Sequence, residues 1–315
     1  MPSYEPRRLT GHTGAVTCVA FSADGRRLLT GGEDRSLRLW DAGTGTEVRS
    51  WEAGPAGVAC GALSPDGGLA VSGAEREPSR LWDTSGGTQL RTLGSQEAGA
   101  FAVAFSPEGR LVVTGGVDGS VRCWDPRTDE ELRRLLGHDA GVTSVAFSPD
   151  RRLVLSGDGR IAVGDDHVRL WDLREGRELR RFGASLFVVT AVAFSPDGRF
   201  ALATTVDALL NAWDVADGHQ VDRYPVGTGN LLCLDVSPDG RRLLTGSGSD
   251  FYGTDRAAGH QGDDTVRLLD VMDGRELWCH TLHGGNVLAV AFAPDGRRAA
   301  SAGADGSVLL WDVVP

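Results

Sequence analysis

The strongest constraint in this sequence is that it repeats itself. The turn Phe21-Ser22-Ala23-Asp24-Gly25 has equivalents starting at Leu63, Phe105, Phe147, Phe194, Val236 and Phe292, at steps of 42, 42, 42, 47, 42 and 56 residues. A second anchor, Trp40-Asp41, recurs as Trp82-Asp83, Trp124-Asp125, Trp171-Asp172, Trp213-Asp214, Leu269-Asp270 and Trp311-Asp312, at steps of 42, 42, 47, 42, 56 and 42. The two ladders agree once the fourth repeat carries five extra residues and the sixth fourteen, both between the anchors. Two matching seven-rung ladders are not a chance pattern, and a fixed period of this size means a chain built from stacked units. Its length agrees, because 315 residues exceed what one ordinary hydrophobic core organises.

Each repeat reads as four strands. Residues 16–21 alternate around β-formers, a Ser-Pro-Asp-Gly turn or close variant follows, and residues 27–30 return. A Gly/Asp loop leads to residues 37–40, and after another turn residues 46–51 form the fourth strand. Short strands joined by Gly, Pro and Asp turns predict an antiparallel sheet. Leu37-Arg38-Leu39-Trp40 is bulky on both faces, as expected of a sheet covered on both sides.

Gly11-His12, the Ser-Pro-Asp-Gly turns and the Trp-Asp pairs together resemble the WD-repeat (WD40) β-propeller family, over residues 3–315. The resemblance implies an all-β, seven-bladed β-propeller of four-stranded antiparallel blades, one domain over 1–315 with repeats starting near 11, 53, 95, 137, 184, 226 and 282. The closeness of the repeats to one another resembles bacterial members. The last repeat stops after its third strand, whereas residues 3–9 resemble a fourth strand that lacks the first three. The N-terminal segment is therefore expected to complete the last blade and close the ring, leaving no open edge to aggregate.

Charge narrows the function classes. The net charge is −11, and no basic cluster is longer than Arg-Arg, so a nucleic-acid partner is not expected. All 32 basic residues are arginine, which reads as base composition of a bacterial source and not as function. No run is long enough for a membrane helix, and residues 1–10 lack the apolar run of a secretory signal, so a cytoplasmic protein is expected. The five cysteines form no CxxC pair, and neither a zinc site nor a disulfide framework is expected. No cofactor is expected. Cys18, Cys60 and Cys233 share one strand position with Ala102, Ser144, Ala191 and Ala289; that position wants a small buried side chain.

Three repeats carry a full polar set: His12, Thr30, Asp34 and Trp40; His138, Ser156, Asp165 and Trp171; His283, Ser301, Asp305 and Trp311. Ser, His and Asp together invite a hydrolase reading. The resemblance implies instead a buried hydrogen-bond relay that ties each blade together, and an active site has no reason to occur three times. Other repeats depart: the histidine place holds Gly54, Gln96, Ser185 and Gly227, Arg76 replaces an aspartate, Ala203 a hydroxyl and Leu269 a tryptophan. Those four blades are expected to be softer and to rest more on apolar packing.

A non-catalytic scaffold that is monomeric by itself and binds a peptide or protein is the leading expectation. The resemblance places partner contacts around the channel on the narrower face, at positions equivalent to 15, 17 and 33. There Phe101, Val117, Val188, Val206, Leu232 and Leu288 are expected to form an apolar rim. The insertion at 246–262 adds Phe251, Tyr252, Arg256 and His260, aromatic and arginine side chains of the kind enriched at hot spots. The rival readings are a sensor or targeting module of a larger bacterial signalling protein, and a propeller enzyme. For the enzyme the channel offers little beyond Glu33 and Glu75, and Asp273-Gly274-Arg275-Glu276-Leu277-Trp278 resembles quinoprotein blades only once.

Overall fold

The structure is a computed structural model that describes residues 6–94, 99–159, 168–183, 187–249, 263–271 and 273–313. In the first blade the strands are Val16–Phe21, Arg27–Gly32, Ser36–Asp41 and Glu47–Glu52, paired antiparallel in that order. Seven such four-stranded sheets follow one another. Their inner strands are Val16–Phe21, Cys60–Leu63, Ala100–Phe105, Val142–Phe147, Val189–Phe194, Asn230–Val236 and Val287–Phe292, and neighbouring inner strands contact one another around the whole ring.

The ring is closed by its N-terminus. Strand Arg7–Leu9 pairs with Val308–Asp312, with Arg7 opposite Leu310 and Leu9 opposite Val308. Leu9 is buried among Val16, Leu28 and Trp40 of the first blade and Ala300, Val308 and Leu310 of the last. Arg298 of the last blade donates to the carbonyls of Ala42 (2.7 Å) and Gly25 (2.9 Å) in the first.

Hydrophobic clusters lie between blades. Leu155, Val168, Leu170 and Phe182 of the fourth blade pack against Val189, Val192, Phe194 and Trp213 of the fifth, while Val142, Val154 and Trp171 pack against Val113, Val121 and Leu135 of the third. Each blade thus serves two cores, which is why its third strand is apolar on both faces.

The two ends of the ring differ. At one end Glu33 N donates to Ala15 O (2.8 Å), joining the start of the inner strand to the loop between second and third strands. This is the relay face. At the other end lie the Ser-Pro-Asp-Gly turns, the turn face. In the first turn Ser22 Oγ donates to Asp24 Oδ1 (2.6 Å) and accepts from Arg27 N (3.0 Å), with Gly25 at φ 67°. The fourth turn puts Arg151 at that left-handed place, at φ 69°, where an L-residue is strained.

Candidate functional site

In the first blade the Trp40 indole N–H donates to Thr30 Oγ1 (2.9 Å), and His12 Nε2 lies 2.8 Å from the same hydroxyl. His12 Nδ1 is 2.9 Å from Asp34 Oδ2. Donor chemistry fixes the proton order: indole can only donate and carboxylate only accept, so Nδ1 carries the proton and Nε2 accepts from the hydroxyl. Burial pulls His12 below its ordinary pKa against the opposing pull of Asp34, so the imidazole is held neutral. Burial opposes ionisation of Asp34 too, yet the Thr13 amide, Ser36 and His12 bring its carboxyl below the usual range.

In the fourth blade Ser156 Oγ lies 2.6 Å from His138 Nε2 and accepts from Trp171 Nε1 at 2.7 Å. The carboxylate on His138 Nδ1 is Asp158, at 3.2 Å; Asp165, given that role by spacing, lies outside the described residues. Asp158 ends its own strand, Leu153–Asp158, directly beside the histidine, whereas spacing across an insertion cannot say which carboxylate returns. In the last blade His283 Nε2 meets Ser301 Oγ at 2.6 Å and Nδ1 meets Asp305 Oδ1 at 3.1 Å, with Trp311 buried nearby. Thr30, Ser156 and Ser301 are all fully buried. A hydroxyl that no substrate can reach, and that accepts an indole N–H in two of the blades, has no means to act as a nucleophile.

The blades without histidine are not left to apolar packing alone. At the place of Arg38, six of seven third strands carry a polar residue: Arg38, Arg80, Arg122, Arg169, Asn211 and Arg267. In the sixth blade Arg267 lies against Gly227, where a Cβ would come within 2.6 Å of its guanidinium carbon. It donates to Thr265 Oγ1 (2.5 Å), Ser247 Oγ (3.3 Å) and Glu276 Oε2 (2.9 Å) and pairs with Asp263. In the second blade Arg80 fills the space beside Gly54 and binds Ala53 O (2.8 Å) and Glu77 (2.7 Å). In the third, buried Arg122 binds Ser120 Oγ (3.0 Å) and Asp118. In the second and sixth blades glycine at the histidine place makes room for the guanidinium from the third strand. These three blades therefore carry polar links of their own in place of the histidine relay.

Comparison with known families decides the affiliation. A model described as IFT122 first beta-propeller matches residues 5–250, and one described as WD domain, G-beta repeat matches residues 274–312. The chain belongs to the WD-repeat β-propellers, in the family of the IFT122 first beta-propeller. Protein Mut11 of Chlamydomonas reinhardtii is 52% identical over 42 residues, 13% of this chain and 11% of that one. Vegetative incompatibility protein HET-E-1 of Podospora anserina is 47% identical over 38 residues, 12% of this chain and 3% of that one. Eukaryotic translation initiation factor 3 subunit I of Danio rerio is 48% identical over 46 residues, 15% of this chain and 14% of that one. Each match thus spans about one repeat and a small part of the relative. These relatives are eukaryotic, so the bacterial character read from arginine usage and repeat closeness has no support among them. Both features follow from base composition and blade packing, which any lineage can share.

In this WD-repeat propeller the expected rim is only partly surface. Val188 is fully buried and Leu232 is 8% exposed. They present nothing to a partner, which corrects their place among the contact residues. Phe101, Val206 and Leu288 are half-buried, and Val117 is 38% exposed. Phe101 lies over the next blade, where a Cβ on Gly141 would meet its ring at 3.0 Å. Phe251, Tyr252, Arg256 and His260 lie outside the described residues. Two exposed apolar residues of the same face were missed, Leu136 at 70% and Phe187 at 42%. Their signal was in the repeat. Leu136 stands where sister repeats hold Thr10, Glu52, Gly94, Gly183, Pro225 and Thr281, and Phe187 where they hold only Gly or Ala.

Proposed function

We propose that this WD-repeat propeller is a non-catalytic platform that docks a peptide or protein partner on its relay face, over the third to fifth blades. The observation that carries this reading is the apolar surface there: exposed Val117 in the third blade, Leu136 between third and fourth and Phe187 in the fifth, together with half-buried Phe101 and Val206. Apolar surface gathered on one face of a soluble domain is the usual mark of an interaction site, and large rigid side chains supply its anchors. One relative is named as a subunit of a translation initiation factor, which accords with assembly and not catalysis. Fold membership alone would not carry the reading.

The test is affinity capture with the wild type and with a variant combining Phe101→Ser, Leu136→Ser and Phe187→Ser. Circular dichroism checks that the variant keeps its sheet signal. The expected outcome is a specific partner captured by the wild type and lost from the variant. A variant that captures everything the wild type captures defeats this placement of the site.

A further inference from the structure

The turn-face end of the central channel is a cavity of about 720 Å³, within the range of roughly 300–1,000 Å³ typical of ligand sites. The side chains that line it are mostly apolar, including Phe21, Phe105, Phe147 and Phe292, while backbone and other polar atoms make up about half of its accessible wall. One position of the inner strands reads Ala20, Ala62, Ala104, Ala146, Ala193, Asp235 and Ala291 around the ring, and all of these but Ala193 line the cavity. Six alanines and one aspartate therefore stand at equivalent places around the ring.

Asp235 has the environment of an unfinished ion pair. Its Oδ2 accepts from Phe292 N of the last blade (2.6 Å) and its Oδ1 from Val236 N (2.9 Å). A carboxylate has about four acceptor sites, so two amides leave about half of that capacity facing the cavity. Among the described residues no cationic side chain pairs with it. Burial pushes its carboxyl up to about 6, against the pull of the two amides, and no charged neighbour contributes. An ionised group so placed costs stability unless a cation arrives.

We infer that the turn-face mouth of the channel is a second binding site, which takes a single arginine or lysine side chain presented by a partner polypeptide. An aliphatic stem lies against the alanine side chains of the wall, and the cationic head reaches the free lone pairs of Asp235. A guanidinium can engage both carboxylate oxygens at once. This site lies at the opposite end of the ring from the relay-face platform and rests on different residues, so either can fail without the other.

The test uses the whole chain, labelled with nitrogen-15, and two probe peptides: acetyl-Gly-Arg-Gly-amide and its citrulline counterpart, equal in shape but uncharged. The readout is the amide shift of Phe292 and Val236, the two groups that donate to Asp235. A saturable shift with the arginine peptide is expected, weakened at least tenfold with citrulline and at least tenfold in Asp235→Asn, which keeps an acceptor for Phe292 N. Asp235→Ala, the residue of the six sister blades, is expected to melt no lower than wild type and also to lose binding. Equal binding of the two peptides, unchanged binding by Asp235→Asn, or no saturable shift up to millimolar peptide would each overturn the inference. So would a clear fall in melting temperature for Asp235→Ala, which would make the aspartate a strap between blades.

Discussion

At the scale of single residues, what separates one blade from another is whether each buried hydroxyl finds its donors. Thr30 accepts the Trp40 indole and meets His12. Thr245 stands at the same place in the sixth blade, but Leu269 replaces the tryptophan, and its Oγ1 is buried without a hydrogen-bond partner among the described residues. The same substitution should therefore have opposite consequences at the two sites. Thr30→Val strands a buried indole and imidazole and is expected to cost about 2–6 kcal/mol, counting about 1–3 for each unsatisfied group. Thr245→Val removes only an orphaned hydroxyl and is expected to be neutral or stabilising by up to about 1 kcal/mol. Urea denaturation of the two variants side by side checks this, and equal losses would refute the account of the relay.

At the scale of the blade, a sheet is tied together by a histidine from the entering loop, by an arginine from its own third strand, or, as with His138 and buried Arg169 in the fourth blade, by both. Arg267 shows the cost of the second device, because it is buried with Asp263, Thr265 and Ser247 as its partners. Replacing one member of such a pair leaves the other charge buried and alone. Arg267→Met is expected to destabilise by about 3–5 kcal/mol, whereas Arg275→Met, at an exposed ion pair with both side chains more than half accessible, is expected to change little. Thermal melts of both variants decide it; a small effect at Arg267 would mean that apolar packing alone holds that blade. The distinction was not open to sequence reading. Repetition shows that residues 38, 80, 122, 169 and 267 share a place, but the carboxylate that each inward arginine finds, Glu77 for Arg80, Asp118 for Arg122, Glu178 for Arg169 and Asp263 for Arg267, is set by the folded sheet.

At the scale of the molecule, stability depends on closure. The segment Arg7–Leu9 supplies the outer strand of the last blade, and Leu9 at 3% exposure joins the cluster shared with the first. Without it the strand Val308–Asp312 becomes an open edge. Leu9→Ala is expected to cost about 2–5 kcal/mol as a buried large-to-small change, and deletion of residues 1–10 to cost more and to promote aggregation. Melting temperature and light scattering measure both effects. A deletion variant that melts and scatters like wild type would show that the ring holds without its N-terminal strand.

The number of blades, the four-stranded antiparallel sheets and closure by the N-terminal strand could all be read from the periodicity. They rest on local turn chemistry and on spacing that recurs along the chain, and seven repetitions average out local ambiguity. What each equivalent residue touches was decided only by the tertiary structure. The exposure of Leu136 and Phe187, the burial of Val188 and Leu232, the return of Asp158 to His138 and the lack of a charged neighbour at Asp235 all depend on atoms from elsewhere in the sheet or from the neighbouring blade. The physical reason is that the repeat fixes a residue's address within a blade, whereas burial and charge are properties of the space between blades.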